Sequence, residues 1–322
     1  MENRTLPHTD LTVSRACFGT MTFGSQADEA TSRRLVDYCI DHGINFFDTA
    51  NAYNQGQSET ILGNILKGRR DRIILASKVG MKFDEPPGAT PLARASILKH
   101  IDGSLRRLQT DYLDLYYLHM PDWAVPIDES LEAMHQVVKA GKVRYPASSN
   151  FAGWQVVQML WISERNGYKP PYVSQPMYNL LARGIEQEYL AMCKQYGIST
   201  VVYNPLAGGL LTGKQQRAQP IAGTRFDNNQ LYLDRYWHPA YFDAVDELRT
   251  VSQRSGRSMI DISLNWLLHH TAADCVILGA SKMEQLEQNL AVWNCGPLPA
   301  DVVQAVDRMW SNLRGITPKY NR

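Results

Sequence analysis

Four residues in the first half of the chain have the types and spacing for proton chemistry. Asp48 closes the apolar run "INFFD", and Tyr53 follows five positions later in "DTANAY". Lys78 ends "IILASK", and His119 ends "YLDLYYLH". A tyrosine titrates near about 10, so at neutral pH it is a weak acid. An ammonium beside it favours the phenolate and is expected to lower that pKa. Asp48 is placed to hold Lys78 charged. His119 can hydrogen-bond the oxygen that the tyrosine serves. Such a set protonates a developing alkoxide, a contribution of roughly 10²- to 10⁴-fold. No side chains here have the pattern of an activated nucleophile or a metal site. The electrons are then expected from a cofactor, most simply a hydride donor.

These residues meet only if strands carry them to one place. Strand-like runs lie at 15–19, 44–48, 73–78, 112–119, 143–149, 172–176, 198–203 and 275–279. They are short, mostly apolar and unalternating, as strands buried on both faces should be. Amphipathic stretches lie between them. One covers 28–42, and another sets Ile97, Ile101, Leu105 and Leu108 at helical spacing. A third runs from Asp128 to Gly141, and others cover 152–166, 185–196, 258–269 and a segment from Ser281. Their flanking polar residues and glycines are ordinary start and stop signals. This alternation over residues 1–322, without a linker or a composition break, predicts α/β class: a single (β/α)8 TIM barrel domain. A doubly wound sheet is the rival, weakened because no GxGxxG follows the first strand. In a barrel, side chains at the C-terminal strand ends converge on one mouth, so the four could meet there.

Some pieces fit no barrel unit. Residues 4–13 read as a hairpin, 206–238 as a long loop after the seventh strand, and 240–254 and 299–313 as extra helices. A loop of that length in a compact domain is usually functional. Pro146 interrupts the fifth strand, so a bulge or an early strand end is expected there.

Composition narrows the function classes. The net charge of +1 over 322 residues, with no basic stripe, disfavours nucleic acid. The N-terminus "MENRTLPHTD" has no signal-peptide core, and no apolar run reaches membrane-spanning length, so a cytoplasmic location is expected. Five cysteines with no CxxC pair read as reduced core residues. "GGLLTGK" imitates a phosphate-binding loop, but Gln215 stands where Ser or Thr would bind magnesium.

The stretch "FFDTANAYNQGQSETILG" (46–63) resembles the signature of the aldo-keto reductases, with "ASKVG" and "YLHMPD" in the expected places. The likeness runs from about residue 4 to the C-terminus. The second half, including "MYNLLARGIEQEYL" and "LEQNLA", is most similar to the aflatoxin-aldehyde-reductase subfamily, with some likeness to potassium-channel β-subunits. The resemblance implies a (β/α)8 barrel reducing carbonyls with NADPH. It makes Tyr53 the general acid, Lys78 and Asp48 its tuning pair, and His119 the group that orients the carbonyl. It also implies dialdehydes, succinic semialdehyde or aromatic aldehydes as the substrate range.

The same resemblance distributes a cofactor. Gly19, Thr20, Met21 and Asp48 would border it after the first two strands. Ser149, Asn150 and Gln175 would bond the nicotinamide amide, and Tyr203 would stack on the ring. Asn204, Pro205, Leu206, Gly208 and Lys214 would follow the pyrophosphate. Gly279, Ser281, Gln285, Gln288 and Asn289 would meet the adenine end. Ser281 with Glu284 has the spacing of a capping box, and a helix starting there suits a phosphate. Gly279 and Gln285 stand where many members have Lys and Arg. Arg225, Lys214 and Lys282 are then the cations for a 2′-phosphate, favouring NADPH over NADH. Met21, Trp123, Trp237 and Tyr320 are placed at the substrate mouth, and Arg322 opposite a substrate carboxylate.

A nucleotide-sensing partner protein, like the channel β-subunits, is the alternative to an enzyme. It is disfavoured because His119 is present where those subunits carry another residue. A lyase or isomerase using Lys78 as a Schiff-base amine is a third reading. A homo-oligomer is compatible with the sequence.

Overall fold

In the computed structural model, which describes residues 1–316 and Asn321, the chain enters at the N-terminal end of a barrel. Strand β1 (Asn3–Thr5) pairs antiparallel with β2 (Thr12–Ser14). This hairpin carries Leu6, Leu11 and Val13 into contact with the barrel's inner residues and plugs that end.

Eight parallel strands follow: β3 (Ala16–Gly19), β4 (Phe46–Asp48), β5 (Ile74–Val79), β6 (Leu113–Leu118), β7 (Val143–Ser149), β8 (Val173–Gln175), β9 (Ser199–Val202) and β10 (Cys275–Gly279). Each pairs with its neighbours in chain order, and β10 closes the barrel on β3 through Val276 and Ala16. The helices are α1 (Glu29–Asp41), α2 (Gln57–Leu66), α3 (Arg94–Leu108), α4 (Ile127–Lys139), α5 (Gly153–Asn166), α6 (Tyr189–Tyr196), α7 (Gln230–Tyr236), α8 (Pro239–Ser255), α9 (Met259–His269), α10 (Met283–Ala291) and α11 (Ala300–Arg314). Asp28 starts α1 by accepting from the Thr31 N–H at 2.8 Å, and Ser258 starts α9 in the same way. No helix among the described residues is long and apolar enough to cross a membrane.

Strand alternation explains where the chemistry sits. Cys17, Phe46, Ala76, Tyr117, Ala147, Val173, Val201 and Ile277 form the inner layer of the barrel. Side chains two positions on point to the same side, one layer nearer the C-terminal mouth. Those positions are Gly19, Asp48, Lys78, His119, Ser149, Gln175, Tyr203 and Gly279. The outward-facing partners of the same strands, such as Phe47, Leu75 and Leu118, pack beneath the helices.

Four expectations change. Strand β7 runs through Pro146 in unbroken register with β6, with neither a bulge nor an early end. Pairing with β8 begins only at Ser148, so the proline stands where the strand has one paired neighbour. The segment 206–238 is not a bare loop, since it holds a tight turn over Ala207–Thr212 and the helix α7. Helix α6 begins at Tyr189, after a separate one-turn segment Gly184–Glu186. Cys17, Cys39, Cys193 and Cys275 are buried, but Cys295 is exposed.

Candidate active site

Lys78 is the hub of the mouth. Its side chain is fully buried and ion-paired with Asp48, to whose Oδ1 its Nζ donates. The same nitrogen donates to the Thr49 carbonyl at 2.8 Å and to the Tyr53 hydroxyl at 3.2 Å. Asp48 is itself buried, and its Oδ2 accepts from Gln175 Nε2 at 2.9 Å. The His119 ring meets the Tyr53 ring edge-on, with centroids 5.8 Å apart. The four predicted residues are therefore brought together, from the ends of three adjacent strands and one loop.

Tyr53 needs a sharp turn to reach them. Asn54, Gln55 and Gly56 are all left-handed, with φ of 48°, 55° and 83°. That run folds the chain from the tyrosine straight into α2, and for the two non-glycine residues it is a strained conformation.

Burial decides the electrostatics. It pushes the Tyr53 phenol above its ordinary pKa, and the Lys78 charge offsets this only in part. The expected net lowering is therefore reversed: Tyr53 is held as the neutral phenol. Burial alone would lower Lys78, but Asp48 and Tyr53 outweigh it and keep the ammonium. Burial, with help from the Lys78 charge, drops His119 well below the usual imidazole range. Its Nδ1 is buried without a partner among the described residues, so a neutral ring faces the tyrosine.

Four supporting residues, Glu59, Ser77, Arg107 and Thr49, escaped the sequence reading. Glu59 is fully buried on the inner face of α2, where it accepts from Ser77 Oγ and, at 2.8 Å, from Arg107 Nε. This ties the helix after Tyr53 to the residue preceding Lys78. An acid among the apolar positions Ile61, Leu62 and Ile65 was the available signal. Thr49 meets Lys78 through its carbonyl alone, which no side-chain pattern could reveal.

The cofactor candidates form a rim around this site. Asn150 Nδ2 donates to the His119 carbonyl at 2.8 Å, and its Oδ1 accepts from the Tyr203 hydroxyl at 2.6 Å. Ser149 Oγ donates to the Gln175 carbonyl at 2.8 Å. Gln175 thus serves Asp48 as well as standing beside Ser149. Thr20 is buried, its N–H donating to the Asp48 carbonyl. Gly19 admits Ile277, whose Cγ2 would lie 2.7 Å from any added Cβ. Beyond buried Pro205 and half-buried Leu206, Gly208 is filled by the Tyr232 ring, 2.7 Å from a would-be Cβ. Gly209, not singled out from sequence, has open space instead.

A dinucleotide needs N–H donors and cations for its phosphates and bare backbone against which to lie. Asn204, Ala207, Gly208 and Gly209 all have positive φ, a backbone form that gathers N–H groups into anion-binding concavities. Asn204 Nδ2 is buried without a partner among the described residues. Gly279 has open space where a Cβ would stand. Helix α10 begins at Met283, one residue later than a Ser281–Glu284 box requires. Gln285, not Glu284, reaches back, its Oε1 accepting from the Ser281 N–H at 2.9 Å. Asn289 is buried beneath Gly279, and Gln288 is exposed. Lys214, Arg225 and Lys282 form no salt bridge among the described residues. These residues fit a nicotinamide dinucleotide.

Of the substrate candidates, Met21 is 37% exposed beside the Arg225 guanidinium, and Trp123 is 80% exposed. Trp237 is packed between Phe226 and Phe242, so its ring supports the segment after β9. Tyr320 and Arg322 lie outside the described residues.

A closed eight-stranded barrel with a buried acid, lysine and histidine and a half-buried tyrosine at its C-terminal mouth is the frame of a barrel enzyme. The comparisons sharpen that class. The family model described as the aldo/keto reductase family matches residues 15–311. The chain is 38% identical over 320 residues to aflatoxin B1 aldehyde reductase member 2 of Mus musculus, covering 94% of this chain and 86% of that protein. It is 36% identical over 323 residues to aldo-keto reductase family 7 member A3 of Homo sapiens, covering 94% and 96%. It is 35% identical over 330 residues to the uncharacterized oxidoreductase YrpG of Bacillus subtilis, covering 99% of each. The chain belongs to the aldo/keto reductase family. Members of that family are oxidoreductases that act on carbonyls with nicotinamide cofactors in general.

Proposed function

We propose that this chain reduces aldehydes to alcohols with NADPH, and that Tyr53 gives the proton. The observation that carries the reading is the Lys78 ammonium, paired with Asp48 and 3.2 Å from the neutral hydroxyl of half-buried Tyr53. Relatives whose names specify aldehyde reduction support the substrate class.

When bound, NADPH would supply a hydride to the carbonyl carbon. Ser149, Asn150, Gln175 and Tyr203 would hold its nicotinamide, the 204–214 segment its pyrophosphate, and residues 279–289 with Arg225 its adenosine end. The chain's own part is the oxygen side of the reaction. Charge grows on the substrate oxygen as the carbon is reduced, and Tyr53 Oη transfers its proton there. Lys78 stabilises the phenolate left behind, and Asp48 keeps Lys78 charged and aimed. The neutral His119 ring bonds the carbonyl oxygen without competing as an acid. Burial strengthens each of these interactions relative to water.

The test is loss of reduced-nicotinamide absorbance on 4-nitrobenzaldehyde, 2-carboxybenzaldehyde, succinic semialdehyde and methylglyoxal, with NADPH and NADH in parallel. Turnover that prefers NADPH and vanishes in Tyr53→Phe, while that variant still binds NADPH, is the expected result. Tight cofactor binding without turnover on any carbonyl would overturn it.

A further inference from the structure

We propose that Asn54 is a positioning residue for this reaction, clamping the Met21–Phe23 segment against the turn that carries Tyr53. The inference rests on the reductase reading above. Asn54 Nδ2 donates to the Met21 carbonyl at 2.9 Å and to the Phe23 carbonyl at 2.6 Å. Both partners are acceptors, so the clamp needs a nitrogen with two N–H groups. The backbone at Asn54 is left-handed, which asparagine tolerates better than most residues. Asparagine meets both demands. Aspartate matches its shape but offers the two carbonyls only lone pairs.

The clamped segment and the residues just after it have three further attachments. Thr22 Oγ1 donates to the Ala280 carbonyl at 2.8 Å, just beyond β10. Met21 Sδ lies 3.5 Å from Arg225 Nη1, and Gln26 Nε2 donates to the Gly223 carbonyl at 3.1 Å. The Asn54 amide therefore joins the proton donor's turn to the piece of chain on which the 206–238 segment rests. Gly24, with φ of 80°, brings that piece close enough. A Cβ there would stand 2.8 Å from Gln57 Cβ. Without the clamp, the strained turn is free to relax and Tyr53 Oη to leave its 3.2 Å contact with Lys78. Water then reaches the phenol, and the burial that raises its pKa is lost.

Asn54→Gly and Asn54→Asp separate this role from a structural one. Glycine accepts the left-handed backbone and removes only the clamp. Asn54→Gly is expected to keep its thermal midpoint, yet lose about tenfold or more in kcat, because small misplacements of reacting groups are costly. The alkaline limb of its kcat–pH profile should move to lower pH, as Tyr53 returns towards an ordinary phenol. Asn54→Asp should lose at least as much. Wild-type kcat and an unmoved alkaline limb in Asn54→Gly, with Tyr53→Phe inactive, would overturn the clamp alone. Activity surviving in Tyr53→Phe would remove the reading beneath it as well.

Discussion

Lys78 and Tyr53 stand 3.2 Å apart, nitrogen to oxygen, and it is the lysine that carries the charge. Burial acts on both groups and favours the neutral form of each. Lys78 has a buried carboxylate, Asp48, as compensation and stays an ammonium. Tyr53 has only the lysine, which does not outweigh its desolvation, and stays a phenol. The pair thus holds the proton on the oxygen that, in the proposed reaction, gives it away. The cation is in place for the phenolate that this transfer would leave.

The pH dependence of reduction follows from these directions. Tyr53 must be protonated, so kcat holds through neutral pH and falls as pH rises through a pKa above the free phenol value of about 10. His119 is already neutral far below its free value of about 6.5, so it contributes no limb near neutrality. A kcat profile from about pH 5 to about pH 11 checks both. A descending limb near pH 8 would contradict the assignment of Tyr53.

The Asp48–Lys78 pair should behave asymmetrically when broken. Lys78→Met leaves a buried carboxylate unpaired, at a cost of about 3–5 kcal/mol. The double variant Asp48→Asn with Lys78→Met removes both charges and should recover most of that stability in urea unfolding. It should stay inactive, with kcat down on the order of 10²-fold or more, because nothing then stabilises the phenolate. Recovered activity in the double variant would show that the charge pair is structural only.

The strand ends were legible in the sequence because alternation is local. Once Phe46 and Ala76 face the barrel axis, Asp48 and Lys78 must follow two residues on. Tyr53 and His119 were legible because they lie within or just beyond the same runs. The direction of the Tyr53 shift was not, since it depends on how much chain covers the hydroxyl. Gln175 on Asp48, 127 positions away, and Arg107 on Glu59 are pairings that only the closed barrel creates. The cap at Ser281 was misread because two side chains, Glu284 and Gln285, compete for one N–H, and local packing chooses between them. Pro146 misled because strand composition does not say where a neighbouring strand begins.

Gly63, the glycine that ends the "QSETILG" stretch, should not be replaceable without cost. A Cβ there would lie 2.3 Å from the Arg107 carbonyl oxygen and 2.7 Å from Leu108 Cα. Both are backbone atoms of α3 and cannot swing aside. Gly63→Ala must push α2 from α3, at about 1–3 kcal/mol by the usual cost of overpacking. It also loosens the Glu59–Arg107 contact that anchors the helix after Tyr53. Gly184→Ala is the control, with ordinary φ and nothing within 4 Å of the added atom. Thermal unfolding of the two variants should separate them, and equal midpoints would show that the helices yield without cost.

Arg225 tests the choice of cofactor. Its Nη1 donates to the Tyr232 hydroxyl at 3.1 Å, and its guanidinium lies 5.4 Å from the centre of that ring. It forms no salt bridge among the described residues, so its charge is free for a ligand. It also touches Met21, whose neighbour Thr22 bonds the Ala280 carbonyl, near the start of α10. A phosphate on the adenosine ribose would sit at this junction. NADPH carries that phosphate and NADH does not. A charge-assisted hydrogen bond is worth about 1.5–3 kcal/mol, so Arg225→Ala should raise the Kd for NADPH roughly 10- to 150-fold. The Kd for NADH should change only a few-fold, by whatever Tyr232 loses in support. Nicotinamide fluorescence titrations at two salt concentrations read both constants, and the NADPH preference should shrink as salt screens the remaining lysines. Equal losses for the two cofactors would move Arg225 from phosphate recognition to the packing of Tyr232.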